Sequence, residues 1–340
     1  MRTTHIFLTG PTGYIGGSVL TRLLSHPLSD TFGITVLLRE AEKVKEFRTL
    51  GVKPVIGSHS DLPLLQHLAA DADVVLACAD ADDLDAAKAI LAGLKDRFDK
   101  TGTPSTLIHT SGTGVLVDDA GGMHATENIY SDLDVEKLES LPPTQPHRPV
   151  DMLVVAADTQ GYVKTYIILP STIYGRASGP LVDLGLQNRH SQQIPGLVKI
   201  AMKRGEVGYV GLGKNIWPHV HIKEAADLYV LVFDHSRGFD HSHGRKEVAH
   251  GRVGYYFAEN GEYVMYDLAK AIAETLYQEG KVKSPNPTSF TDEEMKVYFP
   301  NGTMYGANAR CRAERSRAAG WHPRKGYHDL VTSIKGEIRS

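Results

Sequence analysis

The sequence has 340 residues, 41% hydrophobic and 23% charged, with a formal net charge of -3. That is enough chain for a sizeable core plus a smaller appended region, and too much for one compact unit of about 150 residues. Nearly balanced charge without basic runs excludes a general binder of nucleic acid or anionic membrane, and no apolar run reaches the roughly 18 residues a membrane span needs.

Ile6, Phe7 and Leu8 predict a short buried strand, which starts too near the N-terminus to leave room for a signal peptide. Gly10, Gly13 and Gly16 follow at three-residue spacing, and Val19, Leu20, Leu23 and Leu24 continue at helical spacing. Strand, glycine turn and helix start in that order form the context of a dinucleotide-binding fingerprint. Gly10 would turn the chain off the strand, Gly13 would let backbone N–H groups approach a pyrophosphate, and Gly16 would let the helix pack closely. Thr12, Tyr14 and Ile15 belong to the same cofactor-side turn.

Gly33–Arg39 predicts a second strand, Lys53–Gly57 a third, Asp73–Ala79 a fourth and Ser105–Thr110 a fifth, with helical stretches between them. Tyr162–Leu169 is a sixth, closed by Pro170. This alternation predicts an α/β fold of the Rossmann type, a doubly wound parallel sheet with a smaller interleaved C-terminal substrate region. The expected division is a dinucleotide-binding domain over 1–175, with 216–258 returning to it, and a substrate region from 176–215 and 259–340. Ala309–Ala319 reads as a basic helix with an exposed charged face.

The tip of the second strand selects the cofactor. Arg39 and Lys43 favour NADP over NAD, because a guanidinium can grip a 2′-phosphate, while Glu40 could serve an NAD ribose instead. Asp61, which can cap the helix through Ala69, and Ala79, at the end of the fourth strand, are further cofactor-side candidates. Ser111, at the carboxyl end of the fifth strand in His109-Thr-Ser-Gly-Thr-Gly114, is the candidate donor to a substrate oxygen, against a turn serine bonding its own backbone. Cys78 and Cys311 fit a reducing, cytoplasmic setting. The histidine-rich stretch 234–243 reads as a polar loop, and no metal site is expected.

Four stretches carry a resemblance: Thr9-Gly-Pro-Thr-Gly-Tyr-Ile-Gly16, the Ser111 strand end, Leu169-Pro-Ser-Thr-Ile-Tyr-Gly175, and Trp217-Pro-His-Val-His-Ile-Lys-Glu-Ala-Ala-Asp227. Gly320-Trp-His-Pro323 adds a short terminal motif. The chain resembles extended or atypical short-chain dehydrogenases/reductases, of the NAD(P)-dependent epimerase/dehydratase and NmrA-like kind. The resemblance implies that Pro170 and, after it, Ser171 and Thr172 border a nicotinamide, and that helices four and five could form a homodimer.

One departure stands out. The family's catalytic Tyr-x-x-x-Lys is absent between Ser111 and Tyr162, and His147-Arg-Pro-Val-Asp151 occupies the expected helix start. His147 could act as general acid/base with Asp151 one turn along, or the two could simply begin a solvated helix. Tyr130, following the loop Asp118–Asn128 that could fold over the nicotinamide, and Tyr174 are rival proton donors. The expected function is NADP(H)-dependent hydride transfer to or from a small carbonyl or alcohol. The alternatives are a redox sensor without turnover and a nucleotide-sugar epimerase or dehydratase. A small-molecule substrate is the expected partner.

Overall fold

The computed structural model describes residues 3–239 and 248–338. Its first half alternates strictly: β1 (Thr4–Thr9), α1 (Tyr14–Leu24), β2 (Phe32–Leu38), α2 (Val44–Thr49), β3 (Lys53–Ile56), α3 (Leu62–Ala70), β4 (Val74–Ala77), α4 (Leu84–Thr101) and β5 (Ser105–Thr110). Then come β6 (Tyr130–Ser131), α5 (Val135–Glu139), α6 (Arg148–Thr159), β7 (Val163–Pro170) and β8 (Thr172–Tyr174). The second half contains α7 (Pro180–Asp183), α8 (Gln193–Arg204), β9 (Gly208–Tyr209), β10 (Ile216–His221), α9 (Ile222–Arg237) and β11 (Tyr255–Ala258). It continues through β12 (Glu262–Val264), α10 (Met265–Gln278), β13 (Thr288–Ser289), α11 (Asp292–Tyr298), β14 (Cys311–Arg312), α12 (Glu314–Ala318) and α13 (Tyr327–Ile338).

Seven strands form one parallel sheet in the order β3-β2-β1-β4-β5-β7-β11. Every residue of β5 is buried, and so are all but one of β7, because helices cover both faces. The chain winds one way from β1 through β3 and the other way from β4 onward. The strand order therefore reverses between β1 and β4, and a crevice opens at their carboxyl ends.

Residues 216–258 divide between two places. Helix α9 packs on α1 and β11 completes the large sheet beside β7. Strand β10 lies between β8 and β12 in a separate three-stranded sheet. β8 follows β7 after only Ser171, so a new edge is ready there for β10.

The tail also departs from expectation. Ala309–Ala319 is not one helix with a solvated face; it holds β14 and the five-residue α12. Arg310 and Arg312 each pair with Glu262 at 3.0 Å, and Arg317 pairs with Glu259 at 2.8 Å. Beneath them, buried Asp132 accepts backbone N–H bonds from Phe257, Arg315 and Ser316, clamping β11 to the tail. Burial raises its pKa, and those hydrogen bonds oppose the rise. The cations are structural partners of buried Glu259 and partly buried Glu262, a role helical spacing cannot reveal.

Candidate active site

Gly10 has φ +70°, and an ideal Cβ there would stand 2.9 Å from the Ala79 Cα at the end of β4. At Gly16 a Cβ would meet the Gly10 carbonyl oxygen at 2.2 Å, so α1 can rest on the turn only without a side chain there. Gly13 caps α1 without any side-chain hydrogen bond. The first-turn N–H groups are thus left for a ligand. Gly13, Tyr14 and Ile15 line a cavity of about 470 Å³, opposite Ala79, Asp80 and Ser111. An uncapped helix start facing a cavity at the sheet's reversal fits the pyrophosphate of a dinucleotide.

The segment after β8 roofs this cavity. The Tyr14 hydroxyl donates to the Gly175 carbonyl, the Asn188 N–H donates to the Thr12 carbonyl at 2.8 Å, and the Gln187 amide donates to the Tyr14 carbonyl at 3.0 Å. Asn188, Ser191 and Gln192 consequently line it. No periodic signal in the sequence marks these residues, so the roof of the cavity is visible only in the folded chain.

A second cavity of about 520 Å³ adjoins the first, walled by Trp217, Met304 and Tyr305 with Thr113 and Thr303. His147, Pro170, Ser171, Gln192 and Gln193 line both cavities. His147 is the one non-glycine residue with positive φ among the described residues, at 65°. Such a backbone costs of order 1–3 kcal/mol and persists only where its surroundings fix it. Here Oδ1 of Asp82 fixes it, lying 2.9 Å from the His147 backbone nitrogen and 2.9 Å from Nδ1. Nε2 is left between Gly112 and Gly114, where a Cβ on either glycine would stand 3.1 Å from it. The partner of His147 is therefore Asp82, not Asp151 one helical turn along. Asp82 went unnoticed in the sequence because it lies in the loop after β4, distant along the chain.

Asp151 points elsewhere. It is 1% exposed and accepts a hydrogen bond from the Ser111 hydroxyl at 2.9 Å. Its other oxygen has no hydrogen-bond partner and lies 3.8 Å from Nε2 of His109. Burial pushes the Asp151 carboxyl up to about 7, against the Ser111 hydrogen bond and the Arg148 charge. Burial, then the neighbouring His147, hold the His109 imidazole down to about 4. Ser111 lines the first cavity, as its strand-end position suggested, but its hydrogen is engaged by Asp151.

Other candidates lie off the cavities. Tyr130 sits in β6 with Lys137 Nζ 4.8 Å from its ring centroid. The Tyr174 hydroxyl donates to the Gly326 carbonyl at 3.0 Å, behind β8. The loop Asp118–Asn128 does not fold over the crevice; Asp118 holds the Asn308 backbone N–H and side-chain amide, both at 2.8 Å. Asp61 caps α3 by accepting from the Leu64 N–H at 3.3 Å. Thr172 is turned toward Tyr263 and Gln193. At the tip of β2, Lys43 pairs with Glu40 at 2.6 Å, whereas Arg39 is exposed. Part of the histidine-rich stretch, 240–243, lies outside the described residues. No helix among the described residues is long and apolar enough to cross a membrane.

No family model matches the chain. It is 30% identical over 335 residues to oxidase ucsJ of Acremonium sp, covering 94% of this chain and 93% of that protein. Among solved structures, the PbgP3 protein of Burkholderia pseudomallei superposes with a TM-score of 0.68 at 15% identity, covering 99% of this chain and 97% of that one. A double mutant of the dTDP-glucose 4,6-dehydratase DesIV from Streptomyces venezuelae, with NAD bound, gives 0.65 at 16% identity over 100% and 97%. With a relative matched at 30% identity along nearly its whole length, the chain belongs to the family of oxidase ucsJ, and its fold is the one shared by the NAD-dependent epimerase and dehydratase structures.

Proposed function

We propose that this protein is an NADP(H)-dependent oxidoreductase that interconverts an uncharged carbonyl compound and its alcohol, with His147 as the group that exchanges a proton with the substrate oxygen. The observation that carries this reading is the position of His147, pinned by Asp82 in the wall common to both cavities. When bound, the nicotinamide supplies or accepts the hydride. Gly13, Tyr14 and Ile15 would hold the pyrophosphate through the start of α1. Arg39, exposed at the tip of β2, would meet the 2′-phosphate. Lys43 contributes less to that contact, because Glu40 already holds it.

The chain's own chemistry then follows. Asp82 accepts from Nδ1–H and orients the ring, so Nε2 faces the junction and can carry the proton given to a carbonyl oxygen or taken from a hydroxyl. Gly112 and Gly114 place no side chain against that nitrogen, and both line the second cavity beside His147. Trp217 and Met304 offer an apolar wall that excludes water. Among the described residues no Lys, Arg, Asp or Glu lines the second cavity, which favours a neutral substrate over a nucleotide sugar with its diphosphate.

The test pairs binding with turnover. Thermal shift with NADPH and with NADH should show stabilisation, stronger with NADPH, and a panel of neutral aldehydes and ketones should consume NADPH. Absence of binding by both nucleotides overturns the reading. Tight NADPH binding with no turnover on any carbonyl, imine or alcohol replaces it with the sensor alternative.

A further inference from the structure

Asp151 occupies a place where an ionised carboxylate is poorly served. It is 1% exposed, one oxygen has a single donor, Ser111, and the other has none. Buried carboxylates normally satisfy both oxygens, since a missing hydrogen bond to a buried oxygen is costly and an unserved charge costs more. A protonated carboxyl removes the charge and supplies a donor of its own. The groups around it come from four elements. His109 belongs to β5 and Ser111 directly follows it, Arg148 belongs to α6, Tyr255 to β11 and Asp82 to the loop after β4. Arg148 favours the ionised form and Asp82 the protonated one, while His109 and Tyr255 are held neutral by burial.

We propose that Asp151 is a positioning residue that sets which way the Ser111 hydroxyl points, and so whether Ser111 offers the cavity a hydrogen or only lone pairs. With the carboxyl ionised, the Ser111 hydrogen is held on Oδ2 at 2.9 Å, and Oγ can only accept from a ligand. With the carboxyl protonated, its O–H donates to Oγ, and the Ser111 hydrogen is released toward the cavity that Ser111 lines. No bond beyond that one O–H changes, and the proton exchanges with solvent. A carbonyl oxygen is then bound best by the protonated form and a hydroxyl donor by the ionised form. Burial places the switch near neutrality, with the carboxyl pushed up to about 7. The consequence for a carbonyl rests on the oxidoreductase reading above, whereas the switch itself does not.

The test therefore begins on the ligand-free protein. Infrared difference spectra across a pH titration should show a protonated-carboxyl band that vanishes with a midpoint of about 7 and is missing in Asp151→Asn. In Ser111→Ala the band should persist to higher pH, because a hydrogen bond that favours the ionised form is gone. If no such band titrates above about pH 5, or if Ser111→Ala leaves its midpoint in place, the proposal is overturned; a carboxyl with a merely structural role gives those results. Ser111→Ala reads the same carboxyl even if Asp151→Asn fails to fold. With turnover in hand, KM for a carbonyl substrate should rise about tenfold from about pH 6 to about pH 8 in the natural protein. That rise should be missing in Ser111→Ala. A KM rise that survives in Ser111→Ala rejects the switch, while failure to find any substrate rejects only the oxidoreductase reading.

Discussion

Nδ1 of His147 lies 2.9 Å from Oδ1 of Asp82, and the His147 backbone nitrogen lies 2.9 Å from the same oxygen, across a separation of 65 residues. One carboxylate oxygen thus fixes both a left-handed backbone and the orientation of the imidazole it carries. His147→Ala should lower kcat by roughly 100-fold or more, the usual worth of a positioned acid/base group, and leave the NADPH dissociation constant unchanged. Asp82→Ala should lower kcat by a smaller factor, since the imidazole remains but is no longer aimed. Steady-state kinetics beside nucleotide titration separates the two, and a His147→Ala enzyme of full activity would remove His147 from its role.

The proposed preference for NADP rests on Arg39. Its side chain is exposed at the end of β2, while the neighbouring Lys43 is engaged by Glu40. Arg39→Asp should weaken NADPH binding by about tenfold or more and leave NADH binding level or improved, because a charge-assisted contact worth about 1.5–3 kcal/mol is lost only with the phosphate present. Isothermal titration with both nucleotides measures this, and equal loss for both would mean that Arg39 does not read the 2′-phosphate.

The glycines of the turn should separate packing from ligand contact. At Gly16 an added Cβ meets the Gly10 carbonyl oxygen at 2.2 Å, so Gly16→Ala should cost at least the ~1–3 kcal/mol typical of overpacking. At Gly13 the nearest atom would be the same oxygen at 3.2 Å, so Gly13→Ala should fold with a near-normal melting temperature. Its NADPH affinity should nevertheless fall, since the methyl group intrudes where the pyrophosphate approaches. Calorimetric unfolding with and without NADPH distinguishes the two variants.

Three buried titrating groups shape the pH dependence of stability, with opposite signs. His109 and His219 are held down to about 4 mainly by burial. A depressed histidine contributes stability that is present above its unfolded pKa of about 6.5 and is lost as pH falls through about 4, on the order of 3 kcal/mol for each. Asp151 is raised to about 7, so its contribution is complete at acid pH and is lost as pH rises from its unfolded value of about 3.8 through about 7. Asp151→Asn should therefore gain more in melting temperature over the natural protein at about pH 8 than at about pH 4. The amide it introduces carries no charge to bury, and the side chain stays beside Nε2 of His109, which has no hydrogen-bond partner. His219→Gln should flatten the acid limb, whatever its cost at neutral pH. Melting curves across that range check both.

The sequence by itself determined the sheet and the first turn. Ile6–Leu8, the three glycines and the helical spacing from Val19 to Leu24 are local patterns, and local patterns are what backbone sterics and hydrophobic periodicity write into a chain. The strand ends carrying Ser111, Pro170 and Ser171 were legible for the same reason: a parallel sheet at a winding reversal brings its carboxyl ends to one crevice. The partners of the polar groups were decided only in three dimensions. Asp151 has the helical spacing to serve His147, yet it turns to Ser111, because α6 packs its apolar face on the sheet and carries Asp151 inward with it. Asp82 takes the place beside His147 from a loop far away in sequence, and the arginines near the C-terminus find Glu259 and Glu262 instead of water. Helical spacing shows which residues share a face, but the identity of what lies opposite comes from chain segments that local pattern never compares.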